Sequence, residues 1–264
     1  MRRILAACAV ATIPFTSLSA IIIRHDTPDE HYLADESGFP AIGSMFRTDN
    51  GFRDCVVTLI APQWLITAKH CTMDPGLDQA IASGDYSVHL GVRKMAQVDR
   101  IMRMPDVGDD PLLTDVALLH LAEPVTNVAP LALYSGGDDK GRIVFFPGWG
   151  DRGTGTDGIH AEPDGKFRVA ENRIEAVSGN HIVFRFDDPR SDLEQALALE
   201  GVSGPGDSGG PALISTPSGL QVAGISSFQR NFGQREGTYN VDEYYIRISS
   251  VRQWIDKTIG ESSD

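Results

Sequence analysis

The sequence predicts an all-β protein, an antiparallel sandwich or barrel closed by one short C-terminal helix. Short runs rich in β-branched and aromatic residues recur at close spacing, Gly- and Pro-rich turns separate them, and only the tail takes up a helical period. Val56 to Ile60 and Trp64 to Ala68 are two such runs joined by Ala61-Pro62-Gln63, which reads as two strands and a tight turn with His70 and Cys71 at a strand end. Val116 to Ala122 is almost continuously apolar between Asp115 and Glu123-Pro124, as expected of a strand buried on both faces. Val125 to Lys140, with Pro130 and the run Gly136-Gly137-Asp138-Asp139, is the expected connection between two halves. Ile143 to Phe146, Ile182 to Phe186, Pro211 to Ile214, Leu220 to Ser226 and Tyr244 to Ile248 supply the strands of the second half. Ser249 and Ser250 then offer N-caps to a helix with Val251, Trp254, Ile255 and Ile259 on one face.

The chain has 264 residues, 41% hydrophobic and 22% charged, so its composition is that of an ordinary folded protein and excludes disorder or a fibre. A net charge of −13 sets the surface against nucleic acid and anionic membranes, and neither is expected as a partner. Arg2 and Arg3 precede an apolar stretch from Ile4 to Phe15, and small residues follow up to Ala20, the three regions of a secretory leader over residues 1–20. About 12 apolar residues fall short of the roughly 20 that span a bilayer, so no stable membrane span is expected and the location is secreted or periplasmic. Past Ala20 only Cys55 and Cys71 remain, a disulfide candidate in an exported chain.

Three segments carry chemistry. Gly206-Asp207-Ser208-Gly209-Gly210-Pro211 flanks a serine with glycines, which lets a substrate approach while backbone N–H groups converge on one spot. Thr67-Ala68-Lys69-His70-Cys71 holds a histidine at a strand end, suited to take a proton from Ser208. Thr114-Asp115-Val116-Ala117-Leu118-Leu119 offers a carboxylate at the edge of a buried strand, where an unpaired charge is costly and an imidazole partner removes the cost. Taken singly, each has a bland alternative: a Gly-rich turn, a structural or metal-binding histidine, a turn aspartate. No metal-ligand cluster is visible, and the order His, Asp, Ser favours nucleophilic catalysis.

Together with Pro147-Gly148-Trp149-Gly150, these segments resemble the trypsin and chymotrypsin family of serine proteases, in a bacterial-type secreted form, across about residues 21–264. The resemblance implies two perpendicular six-stranded barrels, an N-terminal one over 21–130 carrying His70 and Asp115 and a C-terminal one over 131–264 carrying Ser208 and the helix. It implies Ser208 as nucleophile, His70 as base, Asp115 as the group orienting the imidazole, and the N–H groups of Gly206 and Ser208 as oxyanion hole, with no cofactor. A new chain start at Ile21 would pair with Asp207. Val202 stands where trypsin-like relatives have a basic-residue-reading aspartate; Ser227, Phe228, Gln229 and Glu243 complete the expected substrate pocket, with Gln229 in place of a usual glycine and Glu243 as an alternative reader of basic side chains. Lys69 departs from a frequent alanine, and the second half has no cysteine to brace it. The expected partners of this monomer are protein or peptide substrates and protein inhibitors. A catalytically dormant binding module of the same fold, or a zymogen-locked form, is the alternative, and a serine esterase, lacking its G-x-S-x-G elbow here, is the more distant one.

Overall fold

The computed structural model describes residues 21–91, 94–137, 139–160, 164–191 and 195–261; the expected leader, 1–20, lies outside them. The strands in chain order are β1 (Ile22–Ile23), β2 (Ile42–Phe46), β3 (Arg53–Ala61), β4 (Trp64–Thr67), β5 (Ser87–Leu90), β6 (Lys94–Arg103), β7 (Ala117–Leu121), β8 (Ala132–Leu133) and β9 (Ile143–Gly148). They continue with β10 (Arg152–Thr154), β11 (Gly158–His160), β12 (Arg168–Arg173), β13 (Ala176–Ser178), β14 (His181–Arg185), β15 (Gly201–Val202), β16 (Pro211–Thr216), β17 (Gly219–Arg230) and β18 (Asp242–Arg247). Two helices, α1 (Leu77–Ala82) and α2 (Ile248–Glu261), complete the set. The protein is mostly β with a C-terminal helix, as its sequence predicts.

In the first half β2, β3, β4, β7, β6 and β5 form a closed antiparallel barrel of six strands. The apolar run after Asp115 becomes β7, which lies between β4 and β6 and buries Leu118 and Leu119 on opposite faces. Val57, Leu59, Leu65, Ile66, Val88 and Val98 fill the same interior. The cysteines form the expected disulfide, Cys55–Cys71, which ties β3 to the turn that follows β4.

In the second half a sheet runs β12-β9-β16-β17-β18-β14-β13, with β8 added in parallel to β17. A side chain bridges across it: Asn172 on β12 donates to the carbonyls of Arg185, on β14, and Gly201, on β15 of the smaller sheet. Phe146, Phe184 and Tyr245 pack inside it. A smaller sheet, β11-β10-β1-β15, draws the first described residues into the second half, since β1 pairs in parallel with β10 and antiparallel with β15. The helix α2 buries Val251 and Ile255 and packs on β17 and β18. It begins at Ile248, so Ser249 and Ser250 stand inside its first turn and are not its caps; the buried Ile248 drives the earlier start, because its side chain belongs to the core that the strand before it completes. No helix among the described residues is long and apolar enough to cross a membrane.

The Cys55–Cys71 bridge closes a loop with a sequence separation of 16. A loop of that size lowers the entropy of the unfolded chain by the equivalent of about 3 kcal/mol. The double variant C55S/C71S is therefore expected to unfold in urea with a free energy lower by about 3 kcal/mol, with far-ultraviolet circular dichroism unchanged in buffer.

Candidate active site

His70 opens a short 3-10 turn immediately after β4, and Asp115 closes another, Pro111–Thr114, just before β7. The adjacent pairing of β4 with β7 therefore brings the two residues together. Asp115 Oδ1 accepts the His70 backbone N–H at 2.9 Å, and Oδ2 accepts both His70 Nδ1–H at 2.8 Å and the Ser227 hydroxyl at 2.5 Å. Burial works to raise the pKa of Asp115, but the His70 ring, the Ser227 hydroxyl and the His70 N–H outweigh it and hold the carboxyl below its usual range. An ionised Asp115 facing Nδ1 favours the ring tautomer whose proton sits on Nδ1 and whose lone pair is on Nε2.

The Ser208 turn is pressed against the first barrel. Ser208 C=O accepts the Val56 N–H at 2.8 Å, and Gly209 has φ +76° with no room for a Cβ, which would stand 2.1 Å from Thr67 Oγ1. Ser208 thus abuts β3, which carries Cys55, and β4, which runs on into His70. Around it the N–H groups of Asp207, Gly209 and Gly210 all donate within the protein, to Gly204, Ser226 and Asp207 carbonyls. Those of Gly206 and Ser208 meet no acceptor among the described residues, so two adjacent donors are left for a ligand oxygen. The hydrogen bonds of the described residues do not include one between Ser208 and His70. Cys55, Cys71 and His70 cluster closely enough for a metal, but the disulfide consumes both sulfurs.

Asp207 is buried beneath this turn. It accepts N–H groups from Gly150 at 2.7 Å, Gly204 at 3.1 Å and Ile21 at 3.2 Å. Gly148 and Gly150 make the room: a Cβ on either would stand 2.0 Å or 2.6 Å from carboxylate atoms of Asp207. Burial pushes the Asp207 carboxyl up to about 6 against the pull of those donors.

Of the residues expected to line a pocket, four lie on the paired strands β17 and β18. Ser227 reaches Asp115; Phe228 stacks on Tyr244 with rings 4.6 Å apart; Gln229 donates to Glu243 at 2.6 Å. Ser203, which sequence reasoning passed over, donates to the other Glu243 oxygen at 2.8 Å. Val202 points elsewhere: its side chain is buried in a satellite apolar cluster with Ile22, Phe186, Tyr239 and Val241.

A cavity of about 600 Å³ opens beside His70, lined by Met73, Met104, Leu112, Asp115 and Ser227 among others. Lys69 stands at its edge, and its ammonium donates to Met104 C=O at 3.0 Å, Asp106 at 2.5 Å and Thr114 Oγ1 at 3.2 Å. The turn before Asp115 is held from the second half as well, where Asn180 donates to Leu113 C=O at 2.8 Å and His181 Nε2 to Leu112 C=O at 3.0 Å. Only the placing of Lys69 beside His70 hints at this clamp in the sequence.

The model of the Trypsin family matches residues 30–255. Among curated relatives, the suppressor of tumorigenicity 14 protein homolog of Bos taurus is 27% identical over 225 residues, 78% of this chain and 25% of that protein. The chain thus spans about a quarter of that relative's length.

Burial pushes the Glu243 carboxyl up to about 8, against the pull of Gln229 and Ser203, from an ordinary 4.5. An acid that holds its proton longer in the folded state than in the unfolded one adds stability below the unfolded pKa and loses it as pH climbs to the folded pKa. Relative to wild type, Glu243→Gln is therefore expected to gain stability between about pH 5 and pH 8, on the order of 3–5 kcal/mol, read from urea melts across that range.

Proposed function

Because the chain belongs to the trypsin family of proteases, we propose that it is a secreted or periplasmic serine endopeptidase that hydrolyses peptide bonds through an acyl-enzyme on Ser208. The observation that carries this reading is the pairing of Asp115 with both the backbone and the ring of His70, next to a serine turn with two unused N–H donors. Ser208 Oγ attacks the substrate carbonyl carbon while His70 Nε2 takes its proton, and Asp115 stabilises the imidazolium that results. The N–H groups of Gly206 and Ser208 hold the negative oxygen. The carbon–nitrogen bond then breaks as His70 returns the proton to the leaving amine. Water attacks the ester with His70 again as base, and the proton goes back to Ser208 Oγ as the new carboxyl terminus departs. The division near residue 130 puts the base and nucleophile on different halves, so a peptide would lie along their junction and the enzyme would work as a monomer on proteins, open to protein inhibitors.

Activation follows from the same geometry in this reading. Cutting after Ala20 would turn the Ile21 N–H into an ammonium already 3.2 Å from Asp207. It would also abolish the φ of Ile21, which at +63° lies in the left-handed region and is strained for a β-branched residue by about 1–3 kcal/mol. The gain of a charge pair and the loss of that strain both favour the cleaved form, so removal of the leader would complete the site. A dormant binding module is the second reading, favoured by the filled surroundings of Glu243.

A fluorophosphonate is expected to label the mature protein at Ser208, and Ser208→Ala to abolish labelling and cut turnover by roughly 10^4-fold or more with the melting curve retained. Asp115→Asn should lower kcat by roughly 10^4-fold, because the histidine proton would then sit on the wrong nitrogen. Terminal sequencing of the active form should read Ile-Ile-Ile-Arg from Ile21, and one extra residue ahead of Ile21 should cost most of the activity. A folded protein starting at Ile21 that neither labels nor cleaves would support the binding module.

A further inference from the structure

Behind the Ser208 turn a chain of polar contacts runs to the loop before β18. Ser226 holds the turn through its backbone, accepting from Gly209 at 3.0 Å and donating to Gly210 at 2.9 Å. Its hydroxyl lies 3.3 Å from that of Ser203, and Ser203 donates to Glu243 Oε2 at 2.8 Å. Glu243 Oε1 accepts from Gln229 Nε2 at 2.6 Å, and Gln229 Oε1 accepts the Gly237 N–H at 2.8 Å. Glu243 is 2% exposed, and both of its oxygens are taken by neutral donors.

From this arrangement we infer that the Gln229 side chain is a plug: it shuts Glu243 off from substrate, so the residue on the acyl side of the cleaved bond must be small and uncharged, while Glu243 is an occluded reader of basic side chains. The inference rests on the proposed peptidase reading for its substrate class, though the plug itself is a matter of binding. The register places Gln229 opposite Glu243, one step beyond the Phe228 and Tyr244 pair, so its carboxamide crosses directly onto the acid. It is fixed at both ends, by Glu243 and by the Gly237 N–H, and displacing it would strip a buried donor and a buried acceptor of their partners. The Phe228 ring, stacked on Tyr244 and met edge-on by His181, is held in place beside it and offers no detour. A carboxyl standing ready for a cation would be ionised and open; burial instead raises the proton affinity of Glu243, so it sits neutral against Gln229. Shortening residue 229 would leave the same acid facing the Ser208 turn, with Ser203 and Ser226 between.

The test has a binding arm and a turnover arm. In the Ser208→Ala background, isothermal titration with benzamidine, an aryl amidinium, should give no measurable binding; adding Gln229→Gly should tighten it by at least tenfold, and adding Glu243→Gln to that should remove the gain. Gln229→Ala serves as the second variant if the glycine destabilises the strand. In the active enzyme, peptides with Ala at the acyl position should be cleaved at least tenfold better than those with Arg or Lys, and Gln229→Gly should invert the order. Equal benzamidine binding with and without Gln229, or wild-type preference for Arg or Lys, overturns the plug. If the benzamidine series behaves as expected while Ser208 takes no fluorophosphonate, the plug stands and the peptidase reading falls.

Discussion

The carboxylate of Asp115 is the constraint on which the site depends. It is buried, and an uncompensated charge there would cost several kcal/mol. Its three hydrogen bonds come from different parts of the chain: two from the turn after β4 and one from Ser227 on β17. The same ion therefore sets the His70 ring, fixes which nitrogen carries the proton, and pins the long strand of the second half to the first barrel. The clamps around it reinforce that geometry. Lys69 ties the residue ahead of His70 to Thr114, the residue ahead of Asp115, while Asn180 and His181 hold the intervening turn from the second half. A displacement of either half would have to break the Ser227–Asp115 bond, the Asn180 and His181 bonds and the Val56–Ser208 bond together, which ties the His70 turn and the serine turn to one arrangement.

Much of this was legible in the sequence because the chemistry is local. A serine turn needs glycines on both sides of it, and Gly206 and Gly209, with φ of +93° and +76°, show why. The apolar run after Asp115 announces a strand with no solvent face, and β7 is buried at every position but His120, which is partly exposed. Other elements carry weaker signals. The six residues of α1 bury only Leu77 and Ile81, too few to establish a helical period. The segment Ile42–Phe46 contains Gly43 and Ser44 and looks too polar for a core strand, yet Ser44 is buried because the barrel closes there against β5. The alternation in Ser87-Val88-His89-Leu90 was a readable strand signal of minimal length.

Positions whose meaning depends on distant partners were the least legible. Val202 lies six residues ahead of the serine, but strand pairing with β1 commits its side chain to the satellite cluster, and Ser203 is the neighbour that reaches Glu243. Glu243 reads as a surface carboxylate beside two tyrosines until β17 and β18 are paired, when it becomes one of the most buried charged residues. Lys69 looks like an intrusion next to the base, and only the position of Asp106 and Thr114 turns it into a brace.

Asp207 and Glu243 show how partner geometry separates two equally buried acids. Burial raises both, to about 6 and about 8. Asp207 faces backbone N–H groups of Gly150, Gly204 and Ile21, fixed dipoles that cannot turn away and that favour the ionised form. Glu243 faces the Gln229 amide and the Ser203 hydroxyl, and the hydroxyl can rotate to accept a proton as readily as to donate one. The first environment is organised to hold a negative charge, and it would gain further from an ammonium at residue 21 were the chain to begin there. The second tolerates a neutral acid without strain, and it acquires a use for the charge only when something cationic replaces the amide that covers it.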